Sequence, residues 1–405
     1  MSLKIFAELI DEQTKEQIIN IHNQEHYKNQ KIRIMPDCHL GKGSCIGFTQ
    51  EMTSSLVNPA FVGVDIGCGV TMMIFKSDKK IDLDYLDKTI KNNIPSGMNR
   101  NKNSSRYEKY VSQDFDNKVK KLCENITVIN YEDVKNSLCS LGGGNHFIEM
   151  GYKFKDNEHF YYLTVHSGSR NFGLKVAEFY INESREKNKE LEKFNAVLRE
   201  KIEKLKAENR HSEIEGFVKN ERKSYFPDNI ELIDGNDGYF RDLDIAQNFA
   251  YYNRNAMLGE IYELLEREYV LEKQDIINST HNYIDFSAKN PVLRKGAISA
   301  KKDELIIIPF NMRDGIILGR GKGNEDWNCS APHGAGRVLS RTKANEQLKD
   351  SNVDEIMSGI YTTTAKYCID ELPAAYKPVE TILPVIEPAL EVIDTIKPLY
   401  NFKAK

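Results

Sequence analysis

The sequence predicts an α+β fold: one large intertwined domain over 1–405, with mixed sheets flanked by helices and a charged helical arm inside it over 174–224. Three observations carry this. Short apolar runs bounded by glycine and proline fill the first 80 residues and return late in the chain. Stretches with apolar residues at helical spacing lie between them. No repeat and no Ser/Gly-rich linker divides the chain.

The elements follow in order. Residues 1–80 include "KIRIMPDCHLGKGSCIGF" and "NPAFVGVDIGCGVTMMIF", which read as strands joined by tight turns. Residues 81–125 read as polar helices. Strand character is expected to resume at "NITVINYEDV" and to continue through "SLGGGNHFIEM" and "FYYLTVHSGSRNFG". Residues 174–224, rich in Glu and Lys, read as a solvated helical arm without chemistry. A helix follows in "DLDIAQNFAYYNRNAMLGEIYELLEREY", with Ile245, Phe249, Tyr252 and Ala256 on one face. "ELIIIPF" and "GIILG" read as strands, and a proline-punctuated helical pattern over "LPVIEPALEVIDTI" closes the chain.

Composition excludes several classes. Lys and Arg total 56 against 60 Asp and Glu, a net charge of −4, so contact with a nucleic acid needs a local basic patch. The seven cysteines form no CxxC pair, and the start "MSLKIFAELIDEQ" has no signal-peptide character. Reduced thiols in a cytoplasmic protein are expected. No apolar run approaches the roughly 20 residues of a membrane span.

Chemistry-bearing residues gather in the glycine-rich turns. Four of the nine histidines sit there or at strand ends: His146, His166, His281 and His333. Each alone reads more readily as a satisfied structural residue. Asp65 is the sharpest case, because a carboxylate inside "VGVDIGCG" is costly to bury unless paired or bound to a metal. With Cys68 and imidazoles it makes a mixed O/S/N donor set that does not by itself choose the ion. In "APHGAGRVLSR" the small residues around His333 either make only a tight turn or let a phosphate approach the backbone, with Arg337 and Arg341 beside it.

The series "MPDCHLGKGSCIG", "VGVDIGCG", "GGGNHFIE", "VHSGSR", "HNY", "RKGAISA", "HGAGRVLSRTKA" and "AYK" resembles the RtcB family of GTP- and manganese-dependent RNA ligases, from about residue 31 to the C-terminus. The resemblance implies an RtcB-like domain and two Mn²⁺ ions. One would be held by Cys68, His166 and His281, the other by Asp65, Cys68 and His146, with Cys68 bridging. It implies His333 as the nucleophile that takes GMP from GTP as a phosphoramidate. The nucleotide would be held by Asn145, His146, Phe147, Ile148, Glu149, His281, Asn282, Pro309, Phe310, Asn311, Met312, His333, Gly334, Ala335, Gly336 and Lys403. Glu149 and Lys403 would read guanine, the carboxylate accepting from N1 and N2 and the ammonium donating to O6.

The implied reaction passes GMP to an RNA 3′-phosphate, or to a 2′,3′-cyclic phosphate end after water opens it. A 5′-hydroxyl then attacks the activated end and GMP leaves. RNA phosphates are assigned to Arg170, Arg337 and Arg341, the last two alternatively to pairing along a helix starting near 334. The setting would be tRNA splicing or RNA repair, by a monomer away from membranes. The alternatives are an enzyme that guanylylates RNA 3′ ends without sealing and a non-catalytic GTP- or RNA-binding relative. One loop departs from the family: "PFNMRDG" stands where it has small uncharged residues, so that Arg313 either takes over phosphate contacts or pairs with Asp314 at the surface.

Overall fold

The structure is a computed structural model and describes residues 2–404 except 209, 211–212, 215–216 and 219–230. It is a mixed α/β architecture. The central sheet is antiparallel, with strands ordered Pro398–Lys403, Phe147–Lys155, Glu158–Ser167, Gly69–Ser77 and Leu271–Thr280. A second sheet orders Leu3–Ile5, Lys31–His39, Ile46–Glu51, Val292–Lys295 and Asn282–Asp285, with only its first pair parallel. A third joins Leu305–Asn311, Gly315–Gly321 and Leu390–Ile396. Segments far apart in the chain thus share sheets, and the final strand pairs Lys403 with Phe147.

The helix Tyr239–Leu265 packs across the central sheet. It buries Ile245, Phe249 and Ala256 as the helical spacing predicts, while Tyr252 is only partly buried. The same buried side carries Asn253 and Arg254. The charged arm belongs to a helix that begins earlier, at Arg170, and runs to Ala207. Within the expected 174–224, residues 209, 211–212, 215–216 and 219–224 lie outside the described residues. No described helix is long and apolar enough to cross a membrane.

Four expectations are corrected. Residues 12–22, taken with the strands, form the helix Glu12–His22, because the Asp11 side chain accepts from the Thr14 N–H and Ile18 and Ile21 share the buried side. "NITVINYEDV" makes no strand. Asn130 accepts from the Asp133 N–H and caps the helix Tyr131–Ser137, so a cap outweighs the β-branched residues before it. The closing segment is helical only over Val379–Ile386. Pro388 interrupts it, and Leu390–Ile396 and Pro398–Lys403 are strands completing two sheets. Finally, no helix starts near 334. Gly336 takes φ +75°, and the helix begins at Arg341, capped by Ser340.

Candidate metal centre and nucleotide cavity

Sheet register builds the centre. Gly69 lies opposite Ser167 on one neighbour and Thr280 on the other, and His166 lies opposite Phe147. Four neighbouring strands therefore bring Cys68, His166, His281 and His146 to one end of the central sheet. Cys68 Sγ is 3.3 Å from His146 Nε2 and 3.4 Å from His166 Nε2, and His146 Nε2 is 3.0 Å from Asp65 Oδ2. Two groups have their ligand atoms within 4.8 Å of one another: Cys68, His166 and His281, and Asp65, Cys68 and His146. These are the two triads the resemblance implies, and they share one sulfur.

The donor chemistry suits divalent cations. Burial, reinforced by neighbouring imidazoles, holds His166 well below its ordinary pKa. Burial, with His333 beside it, does the same to His281. Both are therefore neutral and able to donate a lone pair. His166 Nδ1 faces the Asn145 carbonyl at 3.2 Å, which turns Nε2 toward Cys68. His281 Nδ1 is buried without a hydrogen-bond partner among the described residues, as expected of a nitrogen that serves an ion. Burial, then the Asp65 charge, pushes the Cys68 thiol well up. Burial is the largest influence on Asp65 and would raise it, but the hydrogen bonds from His146 and Cys68 and the charges of His146 and Arg170 together outweigh it and hold the carboxyl low.

Arg254 supports the centre from below, a role its sequence setting does not single out. It is fully buried, and burial lowers its pKa to about 10. Its guanidinium donates to the carbonyls of Gly67 (2.8 Å) and Ser167 (3.0 Å), to Thr71 Oγ1 (2.9 Å) and to Asn278 Oδ1 (2.9 Å). It thereby ties the Cys68 turn to the end of the His166 strand. The one legible signal is an arginine on the apolar side of a helix.

His333 follows the short strand Ser330–Pro332 and faces the centre, its ring 4.7 Å from that of His281. Its backbone N–H donates to Asp37 Oδ2 (3.1 Å), and its Nδ1 lies 2.6 Å from the same oxygen. Asp37 is completely buried. With Nδ1–H given to this carboxylate, the Nε2 lone pair is free. Asp37 stands in "MPDCHLGKG", yet nothing local couples it to a histidine 296 residues away.

A cavity of about 300 Å³ opens between His333 and the triads. Asn145, Phe147, Glu149, Asn282, Pro309, Phe310, Asn311, Met312, Gly334, Ala335, Gly336 and Lys403 line it, as do Asp65, Cys68, His166, His281, Arg337 and Arg341. Three expected residues do not. The Ile148 side chain is fully buried in the core, because strand side chains alternate and Phe147 and Glu149 take the cavity side. His146 and Arg170 instead line a second cavity of about 450 Å³ that meets the first at Asp65. Arg170 takes φ +58° and donates to Ser140 Oγ (3.0 Å) and the Gly97 carbonyl (2.6 Å). Arg337 is largely engaged, with Glu371 Oε1 at 2.9 Å and the Asp370 carbonyl at 2.7 Å. Arg341 is about half exposed and pairs with Asp370 at 2.9 Å.

Arg313 lies outside the cavity lining, half-exposed and paired with Asp314 at 3.1 Å. An exposed pair of this kind contributes at most about 1 kcal/mol. Arg313→Ala is therefore expected to leave nucleotide affinity within about twofold, read by titrating nucleotide binding. A tenfold loss would place the guanidinium on the ligand instead.

A sequence model of the family described as tRNA-splicing ligase RtcB matches residues 17–404. The RNA-splicing ligase RtcB of Escherichia coli strain K12 is 30% identical over 417 residues, which span 96% of this chain and 93% of that protein. The tRNA-splicing ligase RtcB of Methanococcus maripaludis is 26% identical over 462 residues, covering 94% and 88%. The RNA-splicing ligase RtcB2 of Escherichia coli ATCC 25922 is 25% identical over 395 residues, covering 90% and 86%. With its fold, its twin triads and a match along nearly its whole length, the chain belongs to the RtcB family.

Proposed function

We propose that this RtcB-family RNA ligase joins RNA 3′-phosphate or 2′,3′-cyclic phosphate ends to 5′-hydroxyl ends through a GMP adduct on His333. The observation that carries the reading is the Asp37–His333 pair, set across the cavity from the two triads. Asp37 holds the Nδ1–H, so Nε2 meets the α-phosphorus of GTP as a neutral nucleophile and pyrophosphate leaves. Small neighbours at Gly334, Ala335 and Gly336 let the phosphates approach the backbone. An RNA 3′-phosphate oxygen then displaces His333 from the GMP phosphorus. A 5′-hydroxyl oxygen attacks the activated RNA phosphorus, and GMP departs.

Asp65, Cys68, His146, His166 and His281 would hold two divalent cations, manganese in this reading, which supply charge neutralisation to the phosphates when bound. Arg341, half exposed at the cavity rim, is the arginine best placed to meet an incoming RNA phosphate, while Arg170 serves from the second cavity. Glu149 and Lys403 both line the first cavity and would read the guanine base there.

Incubation with labelled GTP and Mn²⁺, followed by denaturing electrophoresis, tests the adduct. Adding RNA with 3′-phosphate and 5′-hydroxyl ends tests sealing. Consumption of the 5′-hydroxyl strand separates ligation from guanylylation of 3′ ends alone, and absence of any adduct removes the His333 mechanism. Asp37→Asn presents an amide that disfavours the Nδ1–H tautomer, and adduct formation is expected to slow by about a hundredfold, within the range for general acid–base positioning. A rate within threefold of the parent would show that Asp37 does not orient the nucleophile.

A further inference from the structure

One wall of the cavity holds the Lys403 ammonium and two buried carboxyl groups, Glu371 and Glu149, the latter with its pKa raised by burial to about 8. Lys403 and Glu149 lie on adjacent strands, where Lys403 pairs with Phe147 and Asn401 with Glu149. Glu371 comes from a separate short turn, Ile369–Glu371, and is 1% exposed. Its oxygens are divided. Oε2 accepts from Lys403 Nζ at 2.9 Å and from the Tyr376 hydroxyl. Oε1 accepts from Arg337 Nη1 at 2.9 Å and lies 3.3 Å from Arg341 Nη1. Glu149 is treated differently. Its Oε2 accepts from Asn401 Nδ2 at 2.9 Å, while Oε1 is buried with no partner among the described residues.

The ammonium has therefore chosen Glu371 over Glu149. Among the described residues, Lys403 Nζ otherwise reaches only the Asn145 carbonyl at 3.3 Å and stands over the Phe147 ring at 5.4 Å. That leaves it a donor to spare and leaves Glu149 an open acceptor. Guanine needs both on one edge, an acceptor for N1–H and N2–H and a donor for O6. If Glu371 were neutral, the buried Lys403 charge would lack compensation and would turn to the remaining carboxylate. A Lys403–Glu149 pair would satisfy each reader with the other and close the edge to the base.

We propose that Glu371 is a positioning residue for guanine selection: by holding Lys403 it keeps Lys403 and Glu149 apart, so that both face the base, while its other oxygen holds Arg337 at the cavity wall. The inference rests on the guanylylation reading above. Glu371 lines the cavity too, but both its oxygens are taken up by Lys403, Tyr376 and the two arginines, so it acts through Lys403.

The test compares initial rates of adduct formation by the full-length protein with Mn²⁺ across titrations of GTP and ATP. The variants are Glu371→Gln, Lys403→Met and the double substitution. Glu371→Gln is expected to raise KM for GTP by about tenfold, the scale of one lost charge-assisted contact, with little change in kcat, and to lower the GTP-over-ATP preference. In the Lys403→Met background it should cost no further discrimination, because both changes act on one interaction. Glu371→Asp keeps the charge at shorter reach and should fall between parent and Glu371→Gln, which preserves the test if the glutamine variant folds poorly. Additive loss in the double variant, or a loss of kcat and melting temperature with discrimination unchanged, overturns the proposal. A parent that forms GTP adduct normally beside an undiminished Glu371→Gln preference overturns this inference alone. A parent that forms no adduct with either nucleotide overturns the guanylylation reading and this inference with it.

Discussion

His333→Ala is expected to abolish the nucleotidyl adduct, with a fall of about 10⁴-fold or more, the scale on which removing a covalent nucleophile acts. The reason is positional. His333 is the imidazole whose Nδ1 is held by a fully buried carboxylate, and it stands outside both metal triads. His146 and His166 turn Nε2 to the sulfur and carboxylate of the centre, and His281 completes one triad, so none of them is set to substitute for it. Metal content should therefore stay at the parent level while the acid-labile labelled band disappears from the denaturing gel. A variant that forms adduct at the parent rate would refute the assignment. One that loses metal in parallel would show that His333 helps build the centre.

Cys68→Ala should empty both metal positions. Its Sγ belongs to each triad, so its removal leaves two imidazoles for one ion and a carboxylate with an imidazole for the other. His281→Ala and His146→Ala each break one triad and should chiefly lose one equivalent. Losing even an outer partner of a metal ligand costs about 10- to 100-fold in affinity or activity, and losing a shared ligand should exceed that. Elemental analysis of the purified variants, with RNA joining measured in parallel, decides the matter. Loss of a single equivalent with joining retained would mean that Cys68 does not bridge.

Much of the centre was legible before any coordinates. Asp65 in "VGVDIGCG" stands out, because a carboxylate among glycines and apolar residues is costly to bury unless paired or bound to a metal, whereas Cys68, His146 and His166 gain weight only as a group in similar turns, and their division into triads comes from the family resemblance. The same logic exposed the turn at His333. The strands Gly69–Ser77 and Leu305–Asn311 were equally plain from their apolar runs. Where local reading failed, a competing local force decided: the Asn130 cap made a helix of a β-branched stretch, and Pro388 ended a helix so that the residues after it joined sheets.

What the sequence by itself determined is which coordinating side chains stand in glycine-rich turns and where apolar runs and helical spacing alternate, since side-chain chemistry and backbone period act over a few residues. Only the tertiary structure decided the partners of the buried charges. Asp37 meets His333 across 296 residues, Arg254 ties the Cys68 turn to the end of the His166 strand, and Glu371 rather than Glu149 holds Lys403. A buried charge is stable only beside groups that compensate it, and which groups stand there depends on sheet register and on turns far apart in the chain. No local pattern encodes that choice.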